Sequence, residues 1–116
     1  MLRYQNMMLR TVQQRKALCR TCGVAKVADL VGDPCSLLVL RDLLEKPRRF
    51  GELQDSLVGI SSRTLTNKLK LLEREGLVIH KSRGRSASPA AYRLTKKGAA
   101  FQDVVDAMRS YGKKYL

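Results

Sequence analysis

In the stretch SSRTLTNKLKLLEREGLVIHKSRG, from Ser61 to Gly84, four donor-rich side chains recur at spacings of three and four: Arg63, Asn67, Lys70 and Arg74. On a helix that rhythm places them along one face, opposite Leu65, Leu69 and Leu72, which can face a core. Long polar side chains of this kind suit phosphates and base edges. Where a helix lies in a major groove, Arg reads guanine and Asn reads adenine. The base-reading candidates are Arg63, Thr64, Thr66, Asn67 and Lys70, with Arg63 and Asn67 foremost. The competing reading is a charged helix face that only meets water. Phosphate candidates surround the same stretch. Arg48 and Arg49 precede a helix, Ser61 and Ser62 begin the next one, and Lys81, Arg83 and Arg85 lie in the basic segment that follows.

Cys19 and Cys22 form a C-x-x-C. A structural zinc site needs four ligands, and only Cys35 and His80 are left to complete one, with no second paired set. A thioredoxin-like catalyst would need alternating strands and helices, which the sequence lacks. Two readings remain: ordinary thiols at a helix start, or a sensor in which Arg20, Lys26 and the following helix amides favour thiolate. Cys35, on an apolar helix, reads as buried packing. His80 has no carboxylate or nucleophile at a telling spacing, and no glycine-rich phosphate loop is present. The residues therefore point to no enzyme, no metal and no cofactor.

The elements that must position these groups are legible from breakers and caps. An imperfect helical rhythm runs from Tyr4 to about Arg20, and a helix is expected from about Val24 to Val31, stopped by Gly32. Asp33 and Pro34 start the next, which carries Leu37, Leu38, Leu40, Leu43 and Leu44 as the expected buried centre and ends before Pro47. A short helix from about Phe50 to Ser56 and a turn at Val58 and Gly59 lead to the helix capped by Ser61 or Ser62 and stopped by Gly76. Leu77 to Ile79 and Ala91 to Leu94 read as strands around RGRSASPA, a hairpin with a basic tip. Thr95 is expected to cap one last helix, with Phe101, Val104, Val105, Met108, Tyr111 and Tyr115 as an apolar stripe that can bury itself against a second copy. The fold class is mainly α with a small β-hairpin, a winged helix-turn-helix. The expected organisation is an N-terminal arm or helix over 1–21 and a winged domain with a dimerisation helix over 22–116.

Charge narrows the partner. The chain of 116 residues carries 23 Lys and Arg against 10 Asp and Glu, a net charge of +13, which repels itself in a compact monomer unless a polyanion offsets it. Two tracts free of acids, Met1 to Ala28 and Gly76 to Gln102, hold the excess, while most acids lie between Asp29 and Glu75. Nucleic acid is the economical partner, although charge alone leaves its kind open. No apolar run approaches the roughly 20 residues of a spanning helix, and an odd number of cysteines fits a reducing compartment, so a cytoplasmic protein is expected.

From Cys22 to Tyr115 the chain resembles the HxlR-type branch of the MarR-like winged-helix transcriptional regulators. The resemblance is carried by LVGDPCSLLVLRDLLEKPRRFGELQDSL, GISSRTLTNKLKLLEREGLV and YRLTKKGAAFQDVV. It implies a homodimer whose recognition helices, here Ser62 to Glu75, enter successive major grooves. The wings, here Arg83 to Ala91, would touch flanking backbone or minor groove, and the terminal helices would form the interface. It also places Cys22 at the amino-terminal cysteine that many such regulators use to detect oxidants or electrophiles. Two positions depart from the family pattern: Cys35 stands where Trp is usual, and Tyr111-Gly112 replaces Trp-Gly. Both changes shrink an aromatic at or near the interface.

The expected function is a sequence-specific dimeric regulator, a repressor of an inverted-repeat operator in double-stranded DNA, with a small oxidant or electrophile as a possible signal through Cys22 and Cys19. Two-fold symmetry matches half-sites about 34 Å apart. The alternative is a basic nucleoid-associated or RNA- and protein-docking scaffold that makes no base contacts.

Overall fold

The computed structural model describes residues 22–80 and 91–116. The expected helix over Tyr4 to Arg20, Cys19, and the wing tip with Lys81, Arg83 and Arg85 lie outside them. The chain divides into two compact units, Met1–Pro34 and Cys35–Leu116.

In the first unit, α1 spans Gly23–Val31, and Cys22 caps it by accepting the Ala25 N–H on Sγ at 3.4 Å. Gly32 ends it with a right-handed φ of −67°. Its lack of a side chain is needed for a different reason than a left-handed turn: a β-carbon there would lie 2.4 Å from the Ala28 carbonyl oxygen. Pro34 opens α2, Pro34–Glu45, as its fixed φ and missing N–H allow at a first helical position.

In the second unit, α2 buries Val39, Leu40 and Leu43, while Leu37, Leu38 and Leu44 are only half-buried. Its buried acid, Asp42, is neutralised by Arg41, whose Nε and Nη2 reach Oδ1 at 3.0 and 2.9 Å. Cys35 is half-buried, so the expectation of a buried, packed thiol is corrected: it sits on the first turn of α2, where the next residue, Ser36, and not Cys35 is the one fully buried. A short helix, α3, covers Phe50–Ser56 and buries Leu53. The turn after it needs Gly59, whose φ is +91°.

The helix α4, Ser62–Arg74, forms where the leucine rhythm requires it: Leu65, Leu69 and Leu72 are all buried. Ser61 caps its start. At its end Gly76, with φ of +80°, donates its N–H to Glu73 O at 3.0 Å, and Leu77 N–H reaches Leu72 O at 2.9 Å. This paired closure satisfies the last carbonyls and turns Leu77 back onto the core, where it is buried.

Strands β1, Val78–His80, and β2, Tyr92–Leu94, pair antiparallel with His80 opposite Tyr92 and Val78 opposite Leu94. Arg48 extends the pairing as a single bridge to Tyr92, through N–H···O bonds of 3.1 and 2.7 Å. The expected single terminal helix is in fact two. Thr95 caps a one-turn helix, α5, Lys96–Ala99, and the chain then tightens through a Phe101 N–H to Gly98 O bond before α6, Gln102–Tyr115. Among the described residues no helix is long and apolar enough to cross a membrane.

Candidate nucleic-acid interface

The recognition candidates sit on a helix fixed at both ends. At the start, Ser61 Oγ accepts the Thr64 N–H at 3.1 Å and donates to Thr64 Oγ1 at 3.0 Å. At the finish, two side chains from the segment before α6 reach back. Thr95 Oγ1 donates to Gly76 O at 2.6 Å, and Lys97 Nζ donates to Glu75 O at 2.8 Å, a cation placed at the negative end of α4. Between these ends the leucines hold the helix down.

Its outward face matches the spacing argument. Arg63, Asn67, Lys70 and Arg74 are exposed, and among the described residues they form no side-chain hydrogen bond or ion pair. Thr64 and Thr66 are half-buried beside them. Four donor-bearing side chains thus share one face without an acid engaging them, an arrangement able to meet phosphate oxygens and base edges.

The phosphate candidates divide. Arg49 is exposed, and its N–H is accepted by Glu52 Oε1 at 2.8 Å; that hydrogen bond, reinforced by the cations Arg49, Lys46 and Arg48, outweighs desolvation and holds the Glu52 carboxyl below its ordinary value. Arg48 is less open than Arg49. Its guanidinium is paired with Glu45 and its side chain is only 17% exposed, so it is engaged within the protein. Ser61 and Ser62 are exposed at the start of α4. At the wing base, the His80 and Tyr92 rings stack with centroids 3.9 Å apart and planes 11° from parallel. Burial, and after it the Glu73 carboxylate, pushes the Tyr92 hydroxyl above its ordinary value.

Sequence reasoning missed Gln54. From α3 its Nε2 donates to Ser62 Oγ at 3.0 Å and to Ile60 O at 3.4 Å, joining the two helices across the turn. No periodicity signals this, because the partners meet only once the turn has formed.

On α6 the apolar stripe is split. Phe101 and Val105 are buried within the chain and Val104 is half-buried, whereas Met108, Tyr111, Tyr115 and Leu116 are exposed. The Tyr111 and Tyr115 rings lie 5.0 Å apart. A cleft of about 260 Å³ lined by Leu37, Leu38, Val105 and Met108, with Arg41 and Arg109 also on its walls, continues this surface onto α2.

Residues 30–116 match the sequence profile of the HxlR-like helix-turn-helix family. The chain belongs to that family. Among its HxlR-like relatives, sll1512 of Synechocystis sp., an uncharacterized HTH-type transcriptional regulator, is 37% identical over 95 residues, spanning 82% of this chain and 70% of the relative. The crystal structure of PA1607 superimposes with a TM-score of 0.75 at 36% identity, covering 83% of this chain and 66% of that one, so the present chain spans slightly less than two thirds of its length. The reduced form of the transcriptional regulator YodB of Bacillus subtilis gives a TM-score of 0.71 at 28% identity, covering 82% and 94%. YodB has also been solved in a quinone-bound form. The HxlR-like chain is accordingly a helix-turn-helix transcriptional regulator of winged, MarR-like fold.

Proposed function

We propose that this regulator is a homodimer that binds double-stranded DNA sequence-specifically, with α4 in the major groove and Arg63 and Asn67 as the principal base-reading residues. One observation carries the reading: an exposed, unengaged row of Arg63, Asn67, Lys70 and Arg74 on a helix whose other side is buried leucine. Thr64, Thr66 and Lys70 complete the reading face, Arg49 and Ser62 hold backbone phosphates while the Ser61 hydroxyl is spent on capping the helix, and the wing arginines Arg83 and Arg85 add phosphate or minor-groove contacts. The chain acts by binding rather than catalysis, and occupancy of an inverted-repeat operator represses transcription.

The dimer forms through Met108, Tyr111 and Tyr115, which offer an apolar surface that the protomer leaves open. In vitro selection with the full chain, followed by competition between the selected duplex and bulk DNA at fixed physiological salt, tests the reading. A specific binder prefers its site by about a thousandfold or more, whereas a basic scaffold shows no such ratio. Arg63→Ala and Asn67→Ala should each relax discrimination by roughly 1 to 3 kcal/mol at one base position. Equal loss on selected and random duplex would refute base reading.

Thiol sensing through Cys22 is a second part of the reading. It is supported by the half-buried Sγ at the start of α1, already engaged by a backbone amide, and by the quinone-bound state of the relative YodB. Diamide or a quinone should release the selected duplex from the wild type and not from Cys22→Ser. Identical release from both proteins would leave Cys22 a packing residue.

A further inference from the structure

We propose that Gln54 is a positioning residue for DNA binding, one that polarises the Ser62 hydroxyl so that its hydrogen points out of the protein toward a backbone phosphate. The proposal rests on the reading of α4 as the DNA-binding helix. Its starting point is the pair of bonds from Gln54 Nε2, to Ser62 Oγ at 3.0 Å and to Ile60 O at 3.4 Å.

The second bond decides the first. An amide side chain can be turned either way, but a backbone carbonyl can only accept, so the end of Gln54 that faces Ile60 O must be its NH₂. The same NH₂ faces Ser62 Oγ. Ser62 is therefore held as an acceptor on its protein side, and its single hydroxyl hydrogen is left to donate elsewhere. Ser62 is exposed, and it is the first residue of α4, where the adjacent amides already favour an anion. A hydroxyl that could rotate freely would present a lone pair to phosphate as readily as a hydrogen. Gln54 removes that ambiguity and at the same time fixes the start of α4 to α3.

The test uses the full chain and the duplex it selects from a random pool, together with versions of that duplex carrying a neutral methylphosphonate at single backbone positions. Gln54→Met keeps the length and loses the donor. Gln54→Glu replaces the donor with an acceptor, which turns the Ser62 hydrogen inward. Ser62→Ala removes the hydroxyl and Ser62→Thr keeps it. Ser62→Ala and Gln54→Met should each weaken binding about tenfold or more, the worth of a hydrogen bond to a charged acceptor. The double variant should lose no more than Ser62→Ala alone, Gln54→Glu should lose more than Gln54→Met, and Ser62→Thr should bind like wild type. At one methylphosphonate position the penalties of Ser62→Ala and Gln54→Met should both vanish, a result that a merely structural role for Gln54 would not give.

Losses that multiply in the double variant, a Gln54→Met protein that binds like wild type, or penalties that survive at every methylphosphonate position would each overturn the proposal while leaving the reading of α4 intact. If Gln54→Met proves poorly folded by its unfolding midpoint, Ser62→Ala against the methylphosphonate series carries the same decision. A wild-type chain that selects no duplex would overturn the reading of α4 and this assignment with it.

Discussion

A β-carbon on Gly98 would stand 2.1 Å from the carbonyl oxygen of Leu77, closer than any real contact allows. Gly98 is buried at the turn of α5, and its N–H is held by Thr95 Oγ1 at 3.0 Å, so the segment cannot simply lift away. Alanine in place of a helical glycine ordinarily stabilises by reducing the freedom of the unfolded chain. Here the clash reverses the sign. Gly98→Ala should lower stability by roughly 1 to 3 kcal/mol in denaturant unfolding, and a neutral or stabilising effect would show that the approach is looser than described.

The two faces of α4 should separate folding from binding. Leu69 is 1% exposed, and truncating it to alanine should cost about 2 to 5 kcal/mol of stability through lost burial and a cavity. Asn67→Ala, on the open face, should change stability by no more than about 0.5 kcal/mol. Its effect should appear in DNA discrimination instead. Unfolding midpoints for both variants, measured beside duplex binding, check the division.

The acid limb of the stability profile should contain a contribution from Glu52. Its carboxyl is held below the ordinary 4.5, first by the Arg49 N–H and then by the cations Arg49, Lys46 and Arg48. A depressed folded value means stability that is present above the unfolded value and lost as pH falls through the folded one. Glu52→Gln keeps an acceptor for the Arg49 N–H but does not titrate. Its unfolding midpoint should therefore fall less steeply than that of wild type as pH drops below about 5.

At the alkaline end the sign is opposite. Burial, reinforced by Glu73, raises the Tyr92 hydroxyl above the ordinary 10.0, so its contribution is present below that value and lost as pH rises through the folded one. Tyr92→Phe keeps a ring to stack on His80 and removes the titration. The variant should lose less stability than wild type above about pH 10.

What could be read from the residues in order was the part set by local rules. The Leu65, Leu69 and Leu72 rhythm, the cap, which falls on Ser61 of the two serines offered, and the Gly76 stop each depend on neighbours within a turn or two, and all three appear in the fold. The bounds of α3 follow the same logic. What escaped depends on residues that meet through folding. Arg48 looked like a free cation because its backbone bridge to Tyr92 forms only when the chain folds, although its ion-pair partner Glu45 stands just three residues before it. The split between α5 and α6 comes from the tight bond at Phe101 and the packing of Gly98 on Leu77, neither of which alters the apolar rhythm. Gln54 lies in an unremarkable polar run until the turn carries it to Ser62.

The anchoring of α4 by Thr95 and Lys97 has a mechanical side. Both side chains belong to the short segment that leads directly into α6, and both grip carbonyls just past the last residue of α4. Those two hydrogen bonds tie the segment before α6 to the closing end of α4 by a route that does not pass through the leucine core.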